Sequence, residues 1–178
     1  MNIKEIQNAG IELFDAESEN DFSSPKNWKK TFKTIELSLK DFGDDSNSAQ
    51  ILSKITNMIN VLVRYGLVSE DIILETAQLY VFIKEAGLDI EVLKQSYSEF
   101  VIEGVSCLCM QNLNDIKTHV FENEKYRYLG KIKIAEYIVE LASKNKDKSF
   151  LSEVDEVINI YKNKSNNKLM NMLIEARK

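Results

Sequence analysis

The residue types that do most protein chemistry are scarce in this chain, and their spacing says what they cannot do. His119 is the only histidine in 178 residues. A serine or cysteine nucleophile activated by imidazole, or a metal site with two imidazoles, is therefore excluded unless a partner supplies groups. A di-metal centre in a helical bundle needs Glu-x-x-His pairs on facing helices, and no such pair occurs. Cys107 and Cys109 stand two apart in an apolar run, where a mutual disulfide would be strained on a helix and an isolated pair makes a poor metal site. They read as buried, reduced, small hydrophobes. Asp41-Phe42-Gly43 spells the magnesium-binding triplet of protein kinases, but the glycine-rich strand loop, strand lysine and His-Arg-Asp loop that give it meaning are absent. No phosphate-cradling Gly-x-x-x-x-Gly-Lys appears either. The expectation is a protein without catalytic apparatus, cofactor or metal.

Charge is more informative than chemistry. The chain carries a formal charge of −5 with a pI near 5.1, which argues against nucleic acid or an anionic membrane as main partner and leaves basic proteins open. The sum hides uneven parts. Residues 1–24 hold one lysine and six acids, whereas residues 25–42 are net +3 and residues 124–148 are again +3. Two basic stretches interleave with aromatics, the lysine face around Trp28 and Phe32 and the run Lys125, Arg127, Lys131, Lys133 with Tyr126 and Tyr128. Such a pattern can stack on single-stranded bases, but Trp28 and Phe32 share an apolar stripe that points them inward, so solvated helix faces are the better reading. The strongest asymmetry lies at residues 67–105, where Glu70, Asp71, Glu75, Glu85, Asp89, Glu91, Glu99 and Glu103 stand against only Lys84 and Lys94. If the apolar part of that segment is central, its acids crowd the outer surface. Glu85, Asp89 and Glu91 would then flank one turn, a rim able to dock a basic protein and to speed and orient its encounter.

The elements that position these groups are helices. Two junctions, Gly66-Leu67-Val68-Ser69 and Gly87-Leu88-Asp89, each end one apolar-periodic segment and begin the next almost without a loop. In each, glycine suits a left-handed C-terminal position, leucine can fold back on the last turn, and Ser69 or Asp89 can cap the next helix. After a first helix and polar loop within residues 1–24, Ser24-Pro25 signals a helix start, and Trp28, Phe32, Ile35, Leu39 and Phe42 recur at helical spacing. From Ser48 one stripe runs through Ile51, Ile55, Met58, Ile59 and Leu62. Residues 69–86 are apolar on too many sides for an exposed face and predict a central helix. Asp89 starts another helix with a stripe through Leu93, Tyr97, Val101 and Leu108. The chain loosens over residues 111–124, with His119 in a loop. A helix follows through Leu129, Ile132, Ala135 and Ile138, then one capped by Ser149 or Ser152, then one after Ser165 or Asn166. With one proline and no Asn-Gly or Asp-Gly hairpin signal, the fold class is all-α. One domain over residues 1–178 is expected, an irregular bundle or short superhelix of about eight antiparallel helices. The start Met1-Asn2-Ile3-Lys4-Glu5-Ile6 lacks a signal peptide's basic region and unbroken apolar run, and charges recur too often for a membrane span, so the expected compartment is the cytoplasm.

This whole profile, a small, acidic, all-helical chain rich in Lys, Asn, Ile and Glu, resembles the immunity proteins of bacterial polymorphic-toxin and contact-dependent growth inhibition systems. The resemblance is one of profile over the full chain rather than of a motif. It implies a stoichiometric inhibitor that binds a cognate toxin domain, commonly a nuclease, and covers its active site or substrate groove. The acids of residues 67–105, together with Glu12, Asp15, Glu17 and Asp21, would then pair with the toxin's basic groove. A rival reading is a helical scaffold or adaptor for a peptide or partner helix. Exposed aromatics lining a groove would favour it, with Tyr126, Tyr128 and Tyr137 as candidates.

Overall fold

In a computed structural model, the described residues are 27–41, 44–66, 70–143, 147–162 and 168–178, and they form eight α-helices and no strand. The helices are α1 (Asn27–Asp41), α2 (Asp45–Arg64), α3 (Asp71–Ala86), α4 (Glu99–Leu108), α5 (Leu113–Ile116), α6 (Leu129–Leu141), α7 (Lys148–Tyr161) and α8 (Lys168–Arg177). The fold is all-α, as the periodicity predicts. The expected helix within residues 1–24, its acids Glu12, Asp15, Glu17 and Asp21, the Ser24-Pro25 start, Phe42, Ser69, and the cap at Ser165 or Asn166 all lie outside the described residues.

Two helices make the centre. α3 packs against α1, α2 and α4, and α6 packs against α2 and α8 while touching α3 and α4. Because neighbours surround them, their apolar residues are not confined to a stripe: α3 buries every residue from Thr76 to Ile83, and α6 every residue from Ile132 to Ile138. α1 keeps the one-sided pattern of an amphipathic helix, burying Trp28, Thr31, Ile35 and Leu39, whereas α2 begins as a stripe through Ile51 and Ile55 and is buried on all sides from Met58 to Leu62, Asn60 included. Each such aliphatic side chain contributes about 2 kcal/mol of burial, so the paired central helices anchor one continuous core.

The two glycine junctions differ. Gly87 is left-handed, with φ of 64°, and the Gly87 and Leu88 N–H groups both donate to the Ile83 carbonyl, which closes α3 as expected while Leu88 packs half-buried on the core. Gly66 is not left-handed. Its N–H reaches the Val61 carbonyl at 3.1 Å, and a Cβ there would stand 2.7 Å from the Leu62 carbonyl oxygen. Close backbone approach, rather than dihedral freedom, explains that glycine.

Two expected starts also shift. Asp89 does cap, accepting from the Glu91 N–H at 2.9 Å, but it opens a 3-10 turn, Ile90–Leu93, rather than a long helix. The stripe is broken because Ser98 offers a second cap nine residues on, accepting from Val101 N–H and restarting the helix as α4. α7 is capped by Asp147, whose carboxylate accepts from Phe150 N–H at 2.7 Å, instead of by Ser149 or Ser152, which lie inside it. A carboxylate met first along the chain also favours the positive end of the helix dipole. Residues 111–124 are more ordered than expected: Asn112 caps α5, which runs into a π-helical turn, Lys117–Phe121, carrying an exposed His119.

Candidate functional site

Buried charge is costly unless paired, so the two ionic residues inside α6 mark the place to look. Lys133 and Glu136 are three apart on that helix, with side chains only 7% and 2% exposed, and the ammonium stands 2.7 Å from Glu136 Oε2. α3 supplies the other partners. Tyr80 donates its hydroxyl to Glu136 Oε1 at 2.6 Å, and Lys84, 43% exposed, reaches the same oxygen at 2.5 Å. Lys133 also lies 5.7 Å from the Tyr80 ring centre and 5.3 Å from that of Tyr137, within range of cation–π attraction. Tyr137 donates to Glu153 of α7 at 2.5 Å. One helix turn along, Glu140 shares the Lys54 ammonium of α2 with Glu85 of α3. The network thus joins the four helices α2, α3, α6 and α7.

These groups line or adjoin a cleft of about 730 Å³. Its floor holds Tyr80, Lys133 and Glu136. Its apolar walls include Ile83, Leu88, Leu108, Met110 and Phe150, and Asp89, Ser106, Gln111, Glu140 and Glu153 are among its polar lining. Burial raises the Glu136 carboxyl, but Lys133 and Lys84 outweigh it and hold the group down at about 2. Burial, reinforced by the Glu136 charge, pushes the Tyr80 hydroxyl well up. Burial and Glu153 do the same to Tyr137, and burial raises the Cys109 thiol at the cleft edge. At neutral pH the cleft therefore presents an ionised Glu136, protonated tyrosines and a protonated thiol. It offers fixed charge and hydrogen bonds to whatever enters it. Among the described residues no cluster of His, Cys, Asp and Glu suits a metal ion, and no helix is long and apolar enough to cross a membrane.

The chain matches no protein-family model, no curated protein and no solved structure. Its functional reading rests on this geometry and on the placement of the acids.

The acids that stand out in the sequence do not form one surface. Asp71 accepts from the Asn27 backbone N–H at 3.3 Å and Glu75 from the Thr31 hydroxyl at 2.9 Å, both in a second groove between α1 and the start of α3. Glu70 precedes α3 without a side-chain cap bond. Glu103 binds Lys125 and the Tyr126 hydroxyl on another face, while Glu99 is exposed in the first turn of α4. Only the group around Gly87 meets the cleft: Asp89 lines it, Glu85 joins it through Lys54, and Glu91 pairs beside it with Lys94. The three aromatics of the scaffold reading do not lie exposed along one groove: Tyr128 is half-buried, and Tyr137 lines the cleft. Tyr126 and Tyr137 are buried, because Tyr126 packs on Phe100 with ring centres 4.7 Å apart and Tyr137 faces Phe150 at 6.0 Å. The basic run from Lys125 to Lys133 is dismantled too, with Lys125 paired to Glu103 and Lys133 inside. The cysteines are free and only half-buried.

Sequence reasoning misses Lys133, Glu136, Tyr80 and Glu153 as site residues. Spacing alone does not reveal the first two: a lysine and a glutamate three apart share one helix face that could equally be solvated, and only the apolar residues on the remaining sides, Ile132, Ile134, Ala135, Tyr137 and Ile138, mark this helix as one surrounded by neighbours.

Proposed function

We propose that this chain is a non-enzymatic immunity protein, which binds a cognate toxin domain with a basic surface, a nuclease, and neutralises it by covering its active site or substrate groove. The supporting observation is the balance of charge at the cleft. Three ammoniums, of Lys54, Lys84 and Lys133, are held among five carboxylates, of Glu85, Asp89, Glu136, Glu140 and Glu153. The lysines are locked to Glu85, Glu136 and Glu140, and the carboxylate excess left at Asp89 and Glu153 favours a cationic partner. Complementary charge would speed encounter and fix orientation, while the apolar walls would supply contact area.

Co-expression with a toxin encoded beside this gene tests the reading. Growth should be rescued, and the two proteins should co-elute as a stoichiometric complex whose affinity falls as salt rises. A chain that rescues no neighbouring toxin and co-elutes with none is not an immunity protein.

A further inference from the structure

The immunity reading leaves open where on the molecule the partner binds, and the cleft supplies an answer that the outer acids do not. Its lining is polarised. On the floor, two ammoniums share one buried carboxylate, so Lys84 and Lys133 keep N–H groups beyond those that face Glu136. Elsewhere in the lining, Asp89 and Glu153 pair with no cation among the described residues: Asp89 holds a backbone N–H and Glu153 a tyrosine hydroxyl. Glu140 shares its one lysine with Glu85. An anion would meet this carboxylate excess, and a wholly apolar ligand would leave the remaining N–H groups of the floor lysines dry and without an acceptor. What matches all three surfaces is a short stretch of polypeptide: a guanidinium or ammonium for Asp89 and Glu153, an apolar side chain against Met110 and Phe150, and main-chain carbonyl oxygens for the floor lysines. The cleft volume lies within the roughly 300–1,000 Å³ of pockets that enclose ligands larger than one side chain.

We propose that the α3–α4–α6–α7 cleft is the docking site for a basic–apolar segment of the toxin, with Glu153 and Asp89 accepting its basic side chain. This rests on the immunity reading, and the two are separable by experiment. The probe is the capped peptide acetyl-Leu-Arg-Arg-Leu-amide, titrated into the ¹⁵N-labelled full chain and compared with the same peptide carrying citrulline in place of arginine. Saturable shifts are expected at Leu88–Ile90, Ser106–Gln111 and Phe150–Glu153. Citrulline should weaken binding at least fivefold, and Glu153→Gln at least threefold. Gln retains an oxygen for the Tyr137 hydroxyl, so the fold should survive. Ser106→Arg, at an exposed cleft position, should abolish the shifts without touching the network. Equal binding of the citrulline peptide, shifts centred on the α1–α3 groove, or no effect of either substitution would overturn the cleft. So would rescue from the toxin undiminished by Ser106→Arg, which leaves the immunity reading standing. Peptide binding at the cleft in a chain that rescues no toxin keeps the cleft and discards the toxin.

Discussion

The two central helices bury polar groups in opposite ways. α6 carries Lys133 and Glu136 into the core, and both find partners, from each other and from Tyr80 and Lys84 of α3. α3 carries Gln78 into the core, where it is fully buried and neither its amide nitrogen nor its oxygen has a hydrogen-bond partner among the described residues. In sequence both look alike, a polar residue in an apolar helix. The difference teaches that burying a polar group is not one physical event: the ion pair makes each member depend on the other, whereas the orphan amide is a cost that nothing offsets.

Breaking the pair should give the largest effect. Lys133→Met removes the cation nearest Glu136 Oε2, an oxygen that has no directed hydrogen bond to fall back on. Lys84 remains, so the expected loss is about 3 kcal/mol, the lower end of what removing one partner of a buried pair costs. Chemical denaturation measures it. A Lys133→Met stability within about 0.5 kcal/mol of the parent, the scatter of an ordinary surface change, would mean that Lys84 alone carries Glu136.

Acid should act on the same group without mutation. The folded-state Glu136 is held near 2 against an ordinary 4.5, so between those values the unfolded chain binds a proton that the native chain does not. The stabilisation is therefore complete above about 4.5 and is lost as pH falls toward 2. In urea melts between pH 5 and pH 2.5, the parent should lose stability more steeply than Glu136→Gln, which has no proton to take up. Parallel slopes would place the acid sensitivity elsewhere.

The orphan amide predicts the opposite sign. Gln78→Met keeps an unbranched side chain of similar length and removes two unpaired polar atoms, so stability should rise by about 1–2 kcal/mol. A fall would mean that the Gln78 amide has a partner in solution, such as a buried water, and that the contrast between the helices is smaller than the geometry implies.

These contrasts also mark what could be read from the chain. The helical class and the longer helices were legible because stripes such as Trp28-Ile35-Leu39 and Ile51-Ile55-Met58-Ile59-Leu62 are local facts, set by a 3.6-residue period. The centrality of α3 was legible for the same reason: Leu79 to Ile83 leaves no polar side to expose. Where two caps compete within nine residues, as Asp89 and Ser98 do, periodicity alone runs them together. The cleft lay further out of reach. Glu136 belongs to the core only because Tyr80 and Lys84, more than fifty residues earlier, arrive beside it. Tyr126 and Tyr128 look like an exposed pair until Phe100 is packed against both, with ring centres 4.7 and 5.7 Å away. The acids were visible one by one, but their division among two grooves and a third face is a property of packing.

The smallest effect concerns the turn that delivers Asp89 to the cleft. Gly87 has open space where a Cβ would be, so Gly87→Ala costs only the left-handed conformation, about 1 kcal/mol. At Gly66 the added Cβ would instead press on the Leu62 carbonyl at 2.7 Å, forcing the end of α2 to shift. If the two glycines serve different ends, Gly87→Asn should recover most of the stability lost in Gly87→Ala, since asparagine tolerates the left-handed region. Gly66→Asn should recover nothing, because its Cβ meets the same oxygen. Equal rescue at both sites would show that α2 adopts a left-handed terminus in solution and would remove the distinction. Rescue at Gly87 alone, with Leu88 still held on the Ile83 carbonyl, would tie the geometry of Asp89 at the cleft to one backbone dihedral.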